Sequence, residues 1–391
     1  MVETQSSASA DQVGVIIEGF NPHSIVVMAD GSLMTEGGQQ STDGGRTWQK
    51  SETFTSGGGT GMLRLPNGEL GAYSGTWTMQ DALGNGTNHW QFRWSADEGR
   101  SWSEPVRITL PGLTMGLGGT MFATTQGRLI LACYSQFIGS RFDKRGASWG
   151  TYQGIRVETE TEGHYPQAEA GRVYYSDDNG RSWQPCDGWI IGWRDHRWSD
   201  AFTEPSGVEL NDGRIMLLGR TLTGRVYKAL SDDGGHSWWP GAQPTELAAS
   251  YSPGRLARLS TGDLLYVWNQ LSREETRKGL RRSRLSAAIS QDEGESWSHF
   301  KNIEAIKSLA DTAYVPPDPD MSPVWGDDEV GQLPDDFAIW HYPNISVIGE
   351  EVFISYGWSR YSLGTDAEGN KAVQRQGGNR MRILPAEWFY T

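Results

Sequence analysis

Cysteine is almost absent from this chain of 391 residues, where only Cys133 and Cys186 occur. That excludes a disulfide framework and any cysteine spacing typical of a metal site. Positive charge is also scarce. The 34 lysines and arginines are outnumbered by 48 aspartates and glutamates, which leaves a formal net charge of −14. A phosphate backbone needs a basic face, so nucleic acid is excluded as a partner. Long hydrophobic runs are missing too: no stretch approaches the ~18 consecutive apolar residues of a membrane span. The opening residues, Met1 to Gln12, are polar and rich in Ser and Ala, without an apolar signal core. Such a start suits a cytoplasmic protein, or a secreted or periplasmic one whose signal has been removed. His and acidic residues show no ligand spacing, so neither a metal nor another cofactor is expected.

What the chain has in abundance is glycine and tryptophan, 50 and 18 residues respectively. Many of them fall in five copies of one motif. These read Ser41-Thr-Asp43-Gly-Gly45-Arg-Thr-Trp48, Ser95-Ala-Asp97-Glu-Gly99-Arg-Ser-Trp102, and Ser176-Asp-Asp178-Asn-Gly180-Arg-Ser-Trp183. The last two are Ser231-Asp-Asp233-Gly-Gly235-His-Ser-Trp238 and Ser290-Gln-Asp292-Glu-Gly294-Glu-Ser-Trp297. An Asp side chain accepts hydrogen bonds from backbone amides just downstream, and Gly supplies the positive φ of a tight turn. Trp then offers an apolar plate to wedge between sheets. The acids of this motif read as structural.

A second unit precedes each motif: an apolar run, a polar residue with Gly, and another apolar run. Its six copies centre on Gly31, Gly68, Gly127, Gly213, Gly262 and Gly349. Each reads as a β-hairpin. Hairpin plus motif makes a four-stranded antiparallel sheet, and six such sheets in radial array predict an all-β, six-bladed β-propeller. Val13–Ile17 and Met381–Tyr390 are the strands expected to complete one blade from the two termini and close the ring, removing an exposed edge. One domain is expected over residues 12–391, with 1–11 outside it.

In such a blade the short turns crowd one end of the ring, and the long insertions fall at the other. Tyr134–Arg172, Gln270–Arg281 and the stretch from about Phe300 to Asp336 are the long ones. Function is therefore expected opposite the Asp motifs. Glu204, Arg220, Arg281, Arg282, Arg284, Tyr342 and Asp81 all fall at that end. Bland readings stay open for each: a cross-hairpin salt bridge for Glu204–Arg220, a solvated run for the three clustered arginines, a core ring for Tyr342, a turn for Asp81.

Together these features resemble the sialidase (neuraminidase) superfamily, six-bladed propellers that carry Asp boxes. The resemblance implies Tyr342 as nucleophile, Glu204 as the group that takes its proton, and Arg220 and Arg282 as a clamp for a substrate carboxylate. A phenol is neutral until it attacks, so an acidic sugar does not repel it, and the guanidinium fork matches a carboxylate. The pattern also departs from the superfamily. Where a further clamp arginine is expected, the chain reads Phe20-Asn-Pro-His-Ser24, leaving Asn21 or His23 there. Arg197, Arg281 and Arg360 are candidate replacements. The expected acid/base aspartate is missing from its loop, which leaves Asp81 or Glu36 for that role.

The reading that follows is an exo-acting glycoside hydrolase on a terminal sugar, acidic or neutral, with carbohydrate as its partner. Two others stay open. One is a propeller lyase or other glycosidase using His23, His89 or His341 with a tyrosine. The other is a non-catalytic glycan-binding propeller in which Trp90, Trp94, Trp198 and Trp340 stack on sugars.

Overall fold

The computed structural model describes residues 10 and 13–391, apart from 79–86, 112–113, 117–118, 137–143, 166–168, 196–197 and 323–330. Among these the secondary structure is overwhelmingly β. Six antiparallel sheets of four or five strands follow one another along the chain. The four strands of the first sheet are Ile25–Val27, Leu33–Thr35, Gln39–Ser41 and Gln49–Lys50. The second runs Gly61–Arg64, Leu70–Thr78, Thr87–Ser95 and Val106–Arg107. The third is built on Thr120–Ala123, Leu129–Gln136, Glu169–Ser176 and Gln184–Pro185, with Thr114–Met115 added beside Leu129–Gln136. The fourth uses Thr203–Glu209, Ile215–Arg220, Arg225–Ser231 and Gln243–Ala248, and the fifth Arg255–Arg258, Leu264–Trp268, Arg284–Ser290 and Ser298–Ala305. Ala338–Ile348, Glu351–Thr365 and Lys371–Pro385 form the sixth, and Val15–Glu18 pairs antiparallel with the last of these, Val15 opposite Ile383.

Apolar runs at the starts of these sheets bury on both sides, because alternate side chains point to opposite neighbours. Ile25 packs with Phe353 and Ile383 of the sixth sheet, whereas Val26 packs with Met62 and Leu70 of the second. Leu264 and Tyr266 face the fourth sheet, and Leu265 and Val267 face the sixth. One apolar cluster thus lies between each pair of successive sheets, and another between the sixth and the first. The first strands of the sheets also lie side by side. Met62 donates its N–H to Ser24 Oγ at 2.8 Å, Leu256 to Ser206 Oγ at 3.0 Å, and Ile25 to Ser346 Oγ at 3.1 Å.

The Asp motifs behave as turns. In the copy at 231–238, Asp233 accepts from Ser231 Oγ at 2.7 Å, Ser237 N at 2.9 Å and Ser237 Oγ at 2.6 Å, while Gly235 N donates to Ser231 Oγ at 2.8 Å. Gly235 has φ +91°, and the corresponding residue of every copy is a left-handed glycine. At Gly180 a Cβ would come within 2.0 Å of the Phe92 ring, so glycine is also needed for close approach. The five tryptophans sit against the clusters between sheets. These hydrogen bonds hold the Asp97 and Asp233 carboxyls down at about 2, against burial at Asp233 that acts in the other direction.

The long insertions carry structure of their own. A hairpin of Lys144–Tyr152 and Ile155–Tyr165 leaves the third sheet, and its first strand pairs in parallel with Gly331–Leu333. The Tyr152 hydroxyl there lies 2.7 Å from the Asp335 carbonyl oxygen and 3.0 Å from that of Tyr361 on the sixth sheet. Within 270–281 a short helix, Arg273–Arg277, begins at a capping box of Ser272 and Glu275. The apolar spacing of that insertion gave no hint of a helix.

Candidate active site

Two β-bulges locate the site. Along Thr203–Glu209 the register slips between Thr203 and Ser206, and along Ala338–Ile348 it slips between His341 and Asn344. Glu204 and Tyr342 sit inside these slips, with φ +46° and +54°. A left-handed backbone is costly for Glu and Tyr, and a bulge re-aims the side chain it carries. Both occupy the early part of the first strand of their sheet, at the end opposite the Asp motifs. Neither strain is needed by the ladder itself. The two residues are held where plain strands would not put them.

Arg220 is the point at which they meet. It ends the strand paired with Glu204's own, and its guanidinium forms an ion pair with the Glu204 carboxylate. Both side chains are buried, at 9% and 6% exposure. The guanidinium also lies 3.5 Å from the centroid of the Tyr251 ring. Burial disfavours its charge, but Glu204 together with Tyr251, Tyr342 and Tyr134 overrides that and keeps it firmly protonated. Tyr342 is therefore within electrostatic reach of the same cation that Glu204 grips. The Arg282 guanidinium stands 5.0 Å from the Tyr342 ring centroid. Tyr342 itself is 43% exposed, which rules out the core-ring reading. No direct hydrogen bond joins Tyr342 to Glu204.

The other expected residues divide into groups. Arg281, Arg282 and Arg284 are all buried, so the solvated-run reading fails. Arg284 is anchored to the Gln270 carbonyl at 3.0 Å and to Glu275 at 3.2 Å, a packing role beneath the short helix. His341 lies edge-on to Tyr342, ring centroids 6.1 Å apart, and covers Gly357, where a Cβ would come within 2.4 Å of the imidazole. Asn21 is tied to Asn379 of the sixth sheet at 3.5 Å. Glu36 accepts from His23 N at 3.0 Å, Ser24 N at 3.1 Å and Ser24 Oγ at 3.3 Å, so it shapes the loop before the first sheet. His23 stays exposed at its rim. Desolvation and Arg255 push its imidazole below the ordinary value, against the pull of Glu36. Asp81 and Arg197 lie outside the described residues. Arg360 is exposed and projects from the long sixth-sheet hairpin.

Two tryptophans named for sugar stacking are core residues instead. Trp90 is fully buried, donating to the Gly116 carbonyl at 3.1 Å, and Trp340 is 4% exposed. Trp94 packs under Arg181, and the Trp198 side chain lies outside the described residues. His89, on the second sheet, is influenced by burial and by Arg107, both lowering its imidazole.

Sequence reasoning missed four residues: Tyr134, Tyr251, Tyr73 and Arg255. Tyr251 lies in the link before the fifth sheet, as Glu204's neighbours lie before the fourth. Tyr134 sits near the end of its strand, as Arg220 does one sheet later. Burial, Glu204 and Glu169 hold the Tyr134 phenol well above its usual value. The position within the repeat was the available signal. Among the described residues no cluster of three or more His, Cys, Asp or Glu is arranged to hold a metal, and no helix is long and apolar enough to cross a membrane.

Comparison with known proteins bears on this geometry. The BNR repeat-like domain family matches residues 62–354. A sialidase of Micromonospora viridifaciens is 24% identical over 311 residues, 72% of this chain and 43% of that protein. Among solved structures, a protein of unknown function from Dyadobacter fermentans superposes with a TM-score of 0.52 at 16% identity, covering 95% of this chain and 97% of its own. A Hadza microbial sialidase gives 0.51 at 15% identity, covering 93% of this chain and 65% of its own. The chain therefore spans less than two thirds of either sialidase, and at such identities the structural likeness speaks for the fold.

Proposed function

Because the chain belongs to the BNR repeat-like domain family, within the Asp-box sialidase superfamily, we propose that it is a retaining exo-glycoside hydrolase built on a closed six-bladed propeller. The observation that carries this reading is the meeting of Glu204 and Tyr342 around Arg220, each residue delivered by a left-handed bulge. The cluster between the sixth and first sheets supports ring closure.

In the proposed mechanism the Tyr342 oxygen attacks the anomeric carbon of a terminal sugar while Glu204 accepts the phenolic proton. The bond from that carbon to the glycosidic oxygen breaks, and a general acid protonates the leaving oxygen. Water then displaces tyrosine from the sugar, giving its proton to the former acid, and the proton on Glu204 returns to Tyr342. Two inversions retain configuration. Arg220 and Arg282 stand beside the phenol, where fixed positive charge stabilises the anion that develops on it. They also suit a carboxylate on the sugar. The acid is Asp81 or Glu36, and Glu36 already serves the loop at His23 and Ser24. Replacing Tyr342 by Phe should abolish release of the terminal sugar while the fold survives. Full turnover in that variant would reject the assignment.

One observation favours a second reading. The Arg255 charge is felt by both His23 and Tyr73, and that set suits proton abstraction beside a uronate carboxylate. A lyase yields an unsaturated, ultraviolet-absorbing product and a hydrolase does not, so an absorbance assay on uronate-containing glycans separates the two.

A further inference from the structure

Large apolar side chains that face water are few among the described residues, and one stands apart. Trp239 is 87% exposed, whereas the next, Tyr314, is 46% exposed. Trp239 directly follows the Asp motif at 231–238. In the other four copies that place is held by Gln49, Ser103, Gln184 and Ser298, so the turn itself is content with a polar residue. Burial does not account for an indole here, and among the described residues it has no ring or hydrogen-bond partner.

A second indole lies beside it. Residues 187–193, leaving the third sheet, run along residues 236–242 of the fourth. Asp187 N donates to the His236 carbonyl at 2.7 Å, Ala242 N to that of Ile191 at 2.9 Å, and Trp193 N to that of Ala242 at 2.8 Å. Gly241 N donates to the Trp238 carbonyl at 2.7 Å and closes a turn with Trp239 and Pro240 exposed at its tip. Gly241 has φ +94°, and a Cβ on it would come within 2.8 Å of Trp193 Nε1. Glycine thus lets the Trp193 ring, 36% exposed, lie against the turn that carries Trp239. Trp189 in the same segment is already engaged, with the Arg172 guanidinium 4.4 Å from its ring centroid.

This pair is remote from the site around Arg220. Glu204 and Tyr342 lie on first strands, at the end opposite the Asp motifs. Trp239 sits at the Asp-motif end and precedes Gln243–Ala248, the far edge of its sheet. The two rings show water roughly 300 Å² of surface, taking about 250 Å² for a whole tryptophan. A stable protein interface buries about 800 Å² per partner, so the patch is too small to hold a second copy or another protein by itself.

We propose that Trp239 and Trp193 form a second carbohydrate site, which holds a neutral pyranose of an extended glycan by stacking. A pyranose with equatorial hydroxyls turns its ring C–H bonds to two flat apolar faces of indole size, and the electron-rich ring face attracts them. Asp187 and Gln243, exposed at the ends of the paired segments, can bond the hydroxyls at the sugar's edge. The Asp187 carboxylate and the net charge of −14 disfavour an anionic sugar. The proposal rests on the glycan reading above only in that the protein meets carbohydrate. It needs neither mechanism.

The test separates binding from turnover. Cellohexaose, chitohexaose and hexagalacturonate are titrated calorimetrically into Tyr342→Phe and into Tyr342→Phe carrying Trp239→Gln or Trp193→Ala. At least one neutral hexasaccharide should bind, and more tightly than hexagalacturonate. Trp239→Gln should weaken it at least about tenfold, the usual scale for an anchoring tryptophan, and Trp193→Ala by less. In the wild-type background Trp239→Gln should leave kcat/KM for a small soluble glycoside within about twofold and the melting temperature within about 1 °C. No heat with either neutral sugar up to about 10 mM overturns the proposal, as does equal affinity in Trp239→Gln or a preference for hexagalacturonate. A larger fall in kcat/KM would assign Trp239 to the active site and overturn it too. So would a dimer in sedimentation that Trp239→Gln abolishes. Should the variants fail to fold, oxidation of Trp239 by N-bromosuccinimide in the wild type decides, since bound neutral sugar must protect it and unprotected oxidation overturns the proposal. Turnover surviving in Tyr342→Phe would reject the hydrolase mechanism and leave the Trp239 result standing.

Discussion

The two ends of this molecule are made from the same strands and do opposite things with their charged residues. At the Asp-motif end, each carboxylate is surrounded by amides and hydroxyls a few residues away, as with Asp233 and its bonds to Ser231 and Ser237. Those turns repeat because local hydrogen bonding alone sustains them. At the other end Glu204 and Tyr342 adopt left-handed backbones within slipped registers, and the Arg220 side chain is 9% exposed with tyrosines around it. Nothing local favours that arrangement. It persists because the six apolar clusters between sheets over-determine the frame. The regular end is sustained by local bonds, the irregular end by the packing of the frame.

That contrast can be broken by mutation, and the largest effect should come from the irregular end. Tyr342→Phe should lose all turnover with its melting temperature near that of the wild type, as measured by sugar release and circular dichroism. Glu204→Gln comes next, with kcat down roughly 10²–10⁴-fold if it takes the phenolic proton. It should also cost about 3 kcal/mol of stability, because Arg220 is left buried without its partner. Urea unfolding reads the second effect independently of the first.

The regular end should answer with stability alone. Asp233→Ala should lower the melting temperature by about 2 °C and leave kcat/KM unchanged, since three hydrogen bonds of one turn are lost. pH sharpens the point. Asp97 and Asp233 have folded values near 2, below the ordinary 3.8, so the stability they add is complete above about 4 and is lost as pH falls through about 2. Thermal melts between pH 5 and 2 should show that decline, and Asp233→Asn should flatten it. The smallest expected signal is at His23. Arg255 lowers its imidazole value, so Arg255→Gln should raise it, an upward move visible in the NMR titration of its ring protons.

Legibility followed the same division. The five Asp motifs and six hairpins were readable because each is a local pattern, and Ser231-Asp-Asp233-Gly-Gly235 needs no distant partner to be recognised. Glu204, Arg220, Arg282 and Tyr342 were nameable through their place in the repeat and a resemblance. That Arg281, Arg282 and Arg284 are all buried could not be read from a basic cluster that looks solvated. Trp90 and Trp340 erred the other way, as plausible sugar platforms that the core had claimed. Arg255 went unnoticed because Ser252-Pro-Gly-Arg255 has no chemistry of its own in sequence.

By itself, the sequence determined the β-rich architecture, the positions of the turns and which end of the strands bears the long insertions, since turn chemistry and side-chain alternation act over a few residues. Tertiary structure alone decided that Tyr342 and Glu204 share Arg220, and that the Arg255 charge reaches His23 and Tyr73 from another sheet. Those neighbours are separated by tens to hundreds of residues along the chain. Only the packing of sheet against sheet sets the distance between them.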